Sequence, residues 1–529
     1  MEPLRKSRNQ KIGDGAFGFT PGGFAQEPSA ARPTLNFLRL IAEDFSPHLA
    51  ACRTFPPLKT NLRGLVGMAA KFVLVDHDTP LLMPPDLRDW VPEGHLVHFI
   101  MDAVRLLDVG QARVNERGTG SPQYPPTLML GLLIYSYATG TFSSRQIERA
   151  TYENVAVRLL CADRHPDHDS ICTFRRTNGA LLQSSFEQVL AMAAQMRLLK
   201  VGQVTLAIDG TKILANASKH SAVSHGHATE QIERLEKQVA ELLAKAESAD
   251  SAPLEDGLTL PDEIARRQDR LEQLRAANEV IRARAKERYE RELAEFQAKE
   301  EERAKRAEQT GKKPRGRAPK PPEENPQAKD QFNFTDPESR IMNTPDGFEQ
   351  SYNAQAAVEI DSRLLVGVSV TDAPNDKEQL APTLAAVSPV IESVGAVLVD
   401  SGYYSAAAVA EVEQPRGDAA GPKIYAATER QPHGRTVQEL EKRADPPPPG
   451  PGASPKEKMK NRLQTKAGRE LYAQRKQTIE PIFGIIKETL GFRRFSLRGL
   501  KKVGTEWTLV TLAYNIKRLF HMGAALSAA

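Results

Sequence analysis

A long, charged segment with heptad periodicity interrupts the chain and separates one apolar strand from all the others. Ile232, Leu235, Val239 and Leu242 recur at spacings of three and four, and a second run from residue 264 to 285 repeats the pattern. Because the connection between the two runs is polar and contains Pro and Gly, we predict an antiparallel coiled-coil hairpin. The core must then be assembled from segments on both sides of this insert.

Short apolar segments around the insert predict an α/β core. Residues 203–215 predict a strand and a turn at Gly210, while QSYNAQAAVEI and RLLVGVSVTD predict a hairpin that turns at Asp361 and Ser362. GAVLVDSGYYS and KIYAAT predict two further strands. Helices are predicted at KEQLAPTLAAVSPVI, at SAAAVAEVE and over residues 469–490 and 503–520. This order is typical of a mixed sheet flanked by helices.

The segment before the first strand predicts helices only. Pro125 and Pro126 begin one helix, and a later helix capped by Asp169 or Ser170 carries two arginines near its start. Short helices with arginines in that position suit a helix-turn-helix that docks on DNA. A plain helical bundle with a solvated basic face is the alternative.

These patterns divide the chain into six parts. They are a loosely structured extension (1–67), a helical DNA-binding domain (68–200), the first part of the core (201–225), the coiled-coil insert (226–303), a basic Pro-rich linker (304–340) and the remainder of the core (341–522). Residues 305–322 of the linker are expected to be disordered.

Three acidic residues are positioned to form one site. Asp209 closes the first strand in LAIDG, Asp400 closes a later strand in VLVDSG, and Glu480 lies inside a helix in RKQTIEPIFGIIK. A buried strand-end aspartate is costly unless it is paired, hydrogen-bonded or metal-bound, although a turn role is the alternative for each one. Converging carboxylates suit Mg²⁺ or Mn²⁺, and two such ions can activate water or a DNA 3′-hydroxyl.

The segment around Glu480 is strongly basic although the whole chain is nearly neutral. The chain has 71 Lys and Arg against 67 Asp and Glu, but residues 456–502 have 14 against 4. Tyr472 and Arg475 share one helix face, and Glu480 and Lys487, seven residues apart, also share one. A carboxylate for a cation and basic groups for phosphates on one helix favour DNA as the partner.

Several sequence words together resemble the DDE transposases of bacterial insertion sequences. They are IDGTKILANAS, QSYNAQAAV, TDAPNDKEQLAPTL, VLVDSGYYS and RLQTKAGRELYAQRKQTIEPIFGIIKETLGFRRFSLRG in the core, and TPLLMPPDLRDWVPEGHL and DHDSICTFRR in the helical part. The resemblance covers roughly residues 71 to 520 and implies an RNase H-like catalytic core.

The resemblance also implies site residues and a reaction. Its catalytic and metal-binding triad corresponds to Asp209, Asp400 and Glu480, with Mg²⁺ or Mn²⁺ as the cofactor. The candidate DNA-binding residues are Tyr472, Arg475, Lys476, Lys487, Arg493, Arg494, Arg175 and Arg176. Lys476 is included because related groups have the arginine one residue closer to the glutamate. The expected activity is binding of terminal inverted repeats in double-stranded DNA, cleavage at the element ends and attack of the freed 3′-hydroxyl on target DNA.

The cellular setting and assembly are further expectations. Three cysteines and an N-terminus without an apolar stretch predict a cytoplasmic protein that has no membrane partner. The resemblance implies in addition that it is nucleoid-associated. A homodimer is expected when two element ends are synapsed. The insert forms an intramolecular hairpin in one interpretation, and dimerises two subunits or grips DNA in the other.

Other residues and functions remain alternatives. Cys161, His165, His168 and Cys172 have a spacing that two buried cysteines and two loop histidines explain better than a zinc site. Asn353 and Asp376 are groups near the metals or ordinary turn and strand-end residues. In place of a transposase, the chain is a DNA-binding protein without catalysis, such as a repressor or decayed transposase, or a metal nuclease that cuts without joining.

Overall fold

The computed structural model describes residues 86–114, 122–248, 260–310, 318–415, 420–428 and 445–523. The predicted extension at 1–67 lies outside the described residues, as do the connection at 249–259 and the linker residues 311–317. Everything described belongs to one compact unit, Met83–Ala529.

Helices occupy the described chain before the first strand. They are α1 (Leu96–Leu106), α2 (Pro126–Ala138), α3 (Ser144–Glu153), α4 (Val155–Leu160), α5 (His168–Thr177) and α6 (Gly179–Gln195), preceded by a 3₁₀ turn (Leu87–Trp90). Proline at the first position of α2 is as predicted, because its fixed φ suits a helix start. The cap predicted for α5 is wrong: Asp167, not Asp169 or Ser170, accepts the hydrogen bond from the backbone N–H of Ser170. DNA binding by this segment stays a prediction.

The strands form one mixed sheet and one small ribbon. They are β1 (Val204–Leu214), β2 (Ala222–Ser224), β3 (Gln331–Asn333), β4 (Arg340–Thr344), β5 (Gly347–Glu359), β6 (Leu365–Thr371), β7 (Val394–Val399) and β8 (Lys423–Ala426). The large sheet has the order β4-β5-β1-β7-β8, with β6 also on β5, while β2 pairs with β3. β5 is antiparallel to β1, β4 and β6, whereas β1, β7 and β8 are parallel. This mixed α/β arrangement is compatible with an RNase H-like core.

Two boundaries predicted from the sequence are wrong. β1 does not end at Asp209 or turn at Gly210 but continues to Leu214, because β5 remains its antiparallel partner from Glu359 to Ser351. The predicted linker is not uniformly irregular either, since β3 lies within it and pairs with β2 on the other side of the insert.

The remaining helices follow the strands or form the insert. They are α7 (His225–Ser248), α8 (Leu260–Thr310), α9 (Leu380–Ala385), α10 (Ala406–Glu413), α11 (Pro455–Gln464), α12 (Lys466–Gly484) and α13 (Leu500–His521). Short 3₁₀ turns occupy Lys219–Ser221 and Ser401–Tyr403, and a π-helical turn occupies Ile485–Thr489. α9 is shorter than the predicted helix at 377–391. None of the helices within the described ranges has the length and apolar character that crossing a membrane requires.

Helix α13 joins the sheet to the preceding helices in one hydrophobic core. That core includes Val97 of α1, Phe186 of α6 and Trp507 of α13. Trp507 is fully buried and its indole N–H donates to the backbone oxygen of Gln355 at 3.0 Å. Burial of a side chain of this kind contributes roughly 1.5–3 kcal/mol. Trp507 is therefore a packing residue of this core.

Helices α7 and α8 of the insert pack against each other within one chain. Leu235 of α7 lies with Leu271 and Leu274 of α8 in a small separate core. Glu236 pairs with Arg275 at 2.6 Å across the two helices. α8 continues to Thr310, past the predicted start of the disordered linker at 305. That the pair forms a regular coiled coil stays a prediction.

Candidate active site

Asp209 and Asp400 lie at the same edge of the sheet because two parallel strands end their pairing together. The last paired residues of β1 and β7 are Ile208 and Val399. Since the two strands run in the same direction, the next residue of each leaves the ladder at the same edge. Asp400 ends β7, as predicted, and precedes the 3₁₀ turn at Ser401–Tyr403. The sheet edge therefore carries two neighbouring carboxylates.

Glu480 approaches this edge from the C-terminal part of α12. Pro481 follows it inside the helix, and the backbone then enters the π-helical turn Ile485–Thr489. The sequence predicts a single helix over 469–490 here. A proline inside a helix removes one hydrogen bond and crowds the preceding turn, the one that carries Glu480.

The guanidinium of Arg475 brings the three acids together. Its Nη1 lies 3.0 Å from Oδ2 of Asp209, and its Nη2 lies 3.8 Å from Oδ1 of Asp400 and 3.5 Å from Oε1 of Glu480. The Arg475 side chain is only 6% exposed, whereas those of Asp400 and Glu480 are 50% and 52% exposed. One buried cation thus faces three carboxylates, two of which remain open to solvent.

Burial and charge act in opposite directions at this cluster. Burial raises the pKa of Asp209 to about 6, and Asp400 and Asp376 add to the rise while Arg475 opposes it. Burial alone would lower the pKa of Arg475, but Asp209 and the other negative groups nearby raise it overall. Arg475 therefore stays charged, and Asp209 binds a proton at a higher pH than an ordinary aspartate does.

Two further predicted residues reach the ends of the core strands. The hydroxyl of Tyr472 donates to the backbone oxygen of Val399 at 3.1 Å, directly before Asp400. The Nζ of Lys487 donates to the backbone oxygen of Lys212 in β1 at 2.9 Å, and burial lowers the pKa of Lys487. Lys476, the neighbour of Arg475, is exposed. Tyr472 and Lys487 therefore tie α12 and the turn after it to the strands that carry the acids.

A basic loop lies beside the end of β1. The backbone N–H of Leu214 donates to the oxygen of Arg493 at 3.1 Å, and that of Phe495 donates back to Leu214 at 2.9 Å. Arg493 and Arg494 are exposed, and Arg493 pairs with Glu488. The backbone hydrogen bonds to Leu214 hold both exposed arginines next to the strand that carries Asp209.

Arg175 lies in the interior of the protein, whereas its neighbour Arg176 is exposed. The Nη1 of Arg175 donates to the hydroxyl of Tyr137 at 2.7 Å and to the backbone oxygen of Phe142 at 2.8 Å. It also lies 3.9 Å from the fully buried Glu506. The DNA contact predicted for Arg175 does not agree with this burial.

The three acids have the right chemistry for a divalent cation, but their present spacing does not suit one. All three are oxygen donors, the ligand type that Mg²⁺ and Mn²⁺ prefer. Within the described ranges, however, no group of three or more His, Cys, Asp or Glu residues is arranged to hold a metal ion. The positive charge among the acids belongs instead to Arg475. Asp209, Asp400 and Glu480 therefore have the chemistry to bind a divalent cation, but they are not already arranged around a cation site.

Cys161, His165, His168 and Cys172, all of which the structure describes, are not arranged to hold zinc. Burial raises the pKa of Cys161 to about 12, which disfavours the thiolate that zinc requires. The Nδ1 of His165 lies 3.1 Å from the Thr151 hydroxyl, and that of His168 lies 2.8 Å from Glu148. The surroundings of Cys161, His165 and His168 are therefore those of structural residues and not of zinc ligands.

Sequence reasoning missed several polar residues beside Asp209. Gln355 and Tyr403 are buried and hydrogen-bonded to each other, and Lys212 lies 3.8 Å from Asp376. Gly210 follows Asp209 in β1, and a methyl group there would come within 2.4 Å of the Gln355 amide. The polar residues Asn353 and Gln355, at alternate positions in the buried part of β5, are the sequence signal that indicates this cluster.

Two segments of the chain match transposase family models. Residues 451–520 match the family described as Transposase DDE domain, and residues 85–177 match Transposase domain (DUF772). The two matches support a DDE transposase of an insertion sequence. The first transposase match contains Glu480 and the basic loop, and the second spans α1 to α5, while Asp209 and Asp400 lie outside both. Searches of curated proteins and of solved structures found no match.

Proposed function

We propose that this chain is an insertion-sequence transposase that binds terminal inverted repeats, cuts DNA at the element ends and joins the freed 3′ ends to target DNA. The observation that supports this most is the convergence of Asp209, Asp400 and Glu480 on one solvent-open edge of the sheet. Their elements come from three separate parts of the chain, so local structure alone does not explain why they meet. The family matches support the same class of function.

The three acids have different parts in this proposal. Asp209 and Asp400 stand on adjacent parallel strands and would hold Mg²⁺ or Mn²⁺ between them, with Glu480 completing the set from α12. When bound, such ions supply activation of water or a 3′-hydroxyl and stabilisation of the leaving oxygen. Asp400 and Glu480 are about half exposed, so DNA can approach them from solvent.

Arg475 and Tyr472 keep the acids in place. Arg475 compensates three negative charges that would otherwise repel one another across the sheet edge. Tyr472 anchors α12 to the end of β7 through Val399, which fixes Asp400 relative to the helix that carries Glu480. These contacts set the register between strand and helix on which the alignment of a phosphodiester depends.

Exposed basic residues around the acids provide the proposed DNA contacts. Lys476 lies on α12 one residue from Arg475, and Arg493 and Arg494 lie on the loop that pairs with β1. Cations in these places attract the phosphates on either side of a scissile bond. Arg176 extends this set to the helical segment, while buried Arg175 is left out. We further propose that two copies act together when the two ends are synapsed.

Cleavage of the element's own ends tests the proposal directly. Purified wild type is incubated with Mg²⁺ and duplex DNA that carries those ends, beside Asp400→Ala. Loss of a cation ligand should reduce cleavage by about 1,000-fold or more, since such ions contribute several kcal/mol to the transition state. Asp361→Ala is the matched control, because Asp361 is an exposed aspartate in the turn between β5 and β6. It should cleave like wild type.

Other results would lead to different conclusions. A folded wild type that binds the ends but does not cut them supports a DNA-binding protein without catalysis. Cleavage without strand-transfer products supports a metal nuclease. Cleavage that survives Asp400→Ala means that the acids at this edge do not carry out the chemistry.

A further inference from the structure

A partly buried carboxylate outside the predicted triad lies near the residues that follow Asp209 and Asp400. Asp376, in the loop between β6 and α9, accepts hydrogen bonds from the amides of Asn353 at 2.6 Å and Gln355 at 2.8 Å. Both amides are fully buried on β5, and the Nζ of Lys212 approaches the same oxygen to 3.8 Å. Two amide donors and one ammonium thus hold Asp376 in a single place.

Asp376 lies close to the glycines that follow both aspartates of the triad. A Cβ at Gly210, directly after Asp209, would lie 2.7 Å from its Oδ1, so a side chain at this position has no room. A Cβ at Gly402, two residues after Asp400, would lie 3.7 Å from its Oδ2. The two oxygens of one carboxylate therefore lie against the two chain segments that carry the catalytic acids.

Gln355 extends this contact to the turn after β7. The hydroxyl of Tyr403, which is buried, donates to Oε1 of Gln355, whose amide nitrogen donates to Asp376. Asn353 adds a further feature, since its Oδ1 is buried and has no hydrogen-bond partner among the described residues. The cluster therefore links β5, the turn that follows Asp400 and the loop of Asp376 through side chains alone.

The backbone does not make this link. Pairing between β1 and β7 stops at Ile208 and Val399, so no strand hydrogen bond joins Asp209 to Asp400. β5 still holds β1 on its other side, because Asp209 faces Ala356 in the antiparallel ladder. The ladder brings the two aspartates side by side as far as Ile208 and Val399, and beyond it their separation depends on side-chain contacts, from α12 and from the Asp376 cluster.

We propose that Asp376 is a positioning residue that acts through Gly210 and the Gln355–Tyr403 pair to set the separation of Asp209 and Asp400 for a divalent cation. This inference rests on the proposed function, because it concerns the same site. Residues that orient the ligands of a metal typically change affinity by about 10- to 100-fold when they are replaced.

Direct cation binding tests this inference without DNA. Free Mn²⁺ is measured by electron paramagnetic resonance during titration of the full-length protein at neutral pH, with wild type beside Asp376→Asn. This variant keeps the size of the side chain and one acceptor oxygen, so we expect the same circular dichroism as wild type. Mn²⁺ affinity should fall by about tenfold and cleavage of element ends at limiting Mn²⁺ should fall at least as much, with unchanged DNA affinity.

Asp372→Asn is the matched control. Asp372 lies four residues away and pairs with Arg340 at 2.6 Å, outside the cluster. It should bind Mn²⁺ within about twofold of wild type, as expected for a half-exposed ion pair away from the site. Equal Mn²⁺ affinity for Asp376→Asn and Asp372→Asn would overturn the inference.

Two further results separate the possible failures. If Asp376→Asn does not fold, Asn353→Ala removes one donor and leaves the carboxylate, and wild-type Mn²⁺ affinity in that variant would overturn the inference. If wild type binds Mn²⁺ but cuts no DNA, the proposed function fails while the Mn²⁺ comparison still decides the role of Asp376.

Discussion

Two arginines of this chain are buried beside carboxylates, and the exposure of their partners separates them. The side chain of Arg175 is 4% exposed and that of its partner Glu506 is 0% exposed. Arg475 is similarly buried at 6%, but the acids around it include Asp400 and Glu480, which are about half exposed. One cation lies in a closed network and the other at an open edge.

The closed network satisfies its acid completely. One oxygen of Glu506 accepts from the backbone N–H groups of Ser496 and Leu497 at 2.8 and 2.9 Å. The other accepts from the hydroxyl of Tyr137 at 3.0 Å, and burial and this carboxylate hold the pKa of Tyr137 well above its usual value. No oxygen of Glu506 is left for a ligand, so the network joins α2 and α5 to the chain around α13.

The open cluster leaves its acids incomplete. Asp400 and Glu480 lie more than 3.4 Å from the nearest Arg475 nitrogen, and both face solvent. The comparison teaches that a buried arginine is a structural residue when its acid is also buried and satisfied. When the acids around it remain open, the same residue type marks a place where a ligand can enter.

The largest effect expected from breaking this comparison is on stability at Arg175. Arg175→Ala leaves the Glu506 carboxylate buried without a cation, which should lower the free energy of unfolding by about 3–5 kcal/mol. Urea denaturation measures this change. Arg176→Ala, the exposed neighbour, should stay within about 0.5 kcal/mol of wild type. Similar losses for the two variants would show that the network does not stabilise the fold as its burial indicates.

Arg475→Ala should affect cleavage strongly and stability only weakly, in contrast to Arg175→Ala. The acids that lose their cation can take up protons or face water, so stability should fall by only about 1–2 kcal/mol. Cleavage of element ends should fall by about 100-fold, because the proposed catalytic acids lose the group that holds them in place. Both are measured on one preparation, at a temperature where the variant is folded. A loss of cleavage that merely tracks the unfolded fraction would assign Arg475 to the structural class.

The order of strands and helices could be predicted from the sequence because it rests on local periodicity. The apolar run VLV before Asp400 and the hairpin turned at Asp361 and Ser362 are correct, since each is a short pattern with a clear boundary. The end of β1 is not, because the residues after Asp209 are polar and Gly210 imitates a turn. The residues after Asp209 pair with β5, which lies beyond the insert in the sequence. Gly210 is a glycine because the side chains of neighbouring residues approach it closely, and no local sequence pattern reveals this.

The environment of each arginine could not be predicted for the same reason. The sequence predicts Arg175 near the start of a helix and in contact with DNA, but it lies in the last turn of α5, and its partner Glu506 is more than 300 residues away. Arg475 was expected on a helix with Glu480, but its contact with Asp209 depends on how α12 lies across β1. Sequence spacing identifies which residues share an element, whereas burial depends on packing between elements.

The pH dependence of stability sharpens the open side of the comparison. The pKa of Asp209 rises from 3.8 to about 6 on folding. The folded state therefore favours the protonated acid, and this contribution is complete below about pH 4 and lost as the pH rises through 6. In EDTA, the free energy of unfolding of wild type relative to Asp209→Asn should fall by on the order of 1–2 kcal/mol between pH 4 and 7. A flat or rising difference would contradict the burial that causes the shift.

The smallest effects are expected from two tyrosines that serve the two arginines. Tyr137→Phe removes a hydroxyl that both donates to Glu506 and accepts from Arg175, so stability should fall by about 1–2 kcal/mol with cleavage unchanged. Tyr472→Phe removes a hydroxyl that donates to Val399 from a half-buried side chain, so stability should fall by about 0.5–1 kcal/mol. Cleavage should nevertheless fall several-fold, because Val399 directly precedes Asp400 and a small displacement of that strand end moves a proposed catalytic group. Urea denaturation and cleavage assays on both variants test this prediction. If both tyrosines have only a structural role, the variant that loses more stability will also lose more cleavage activity.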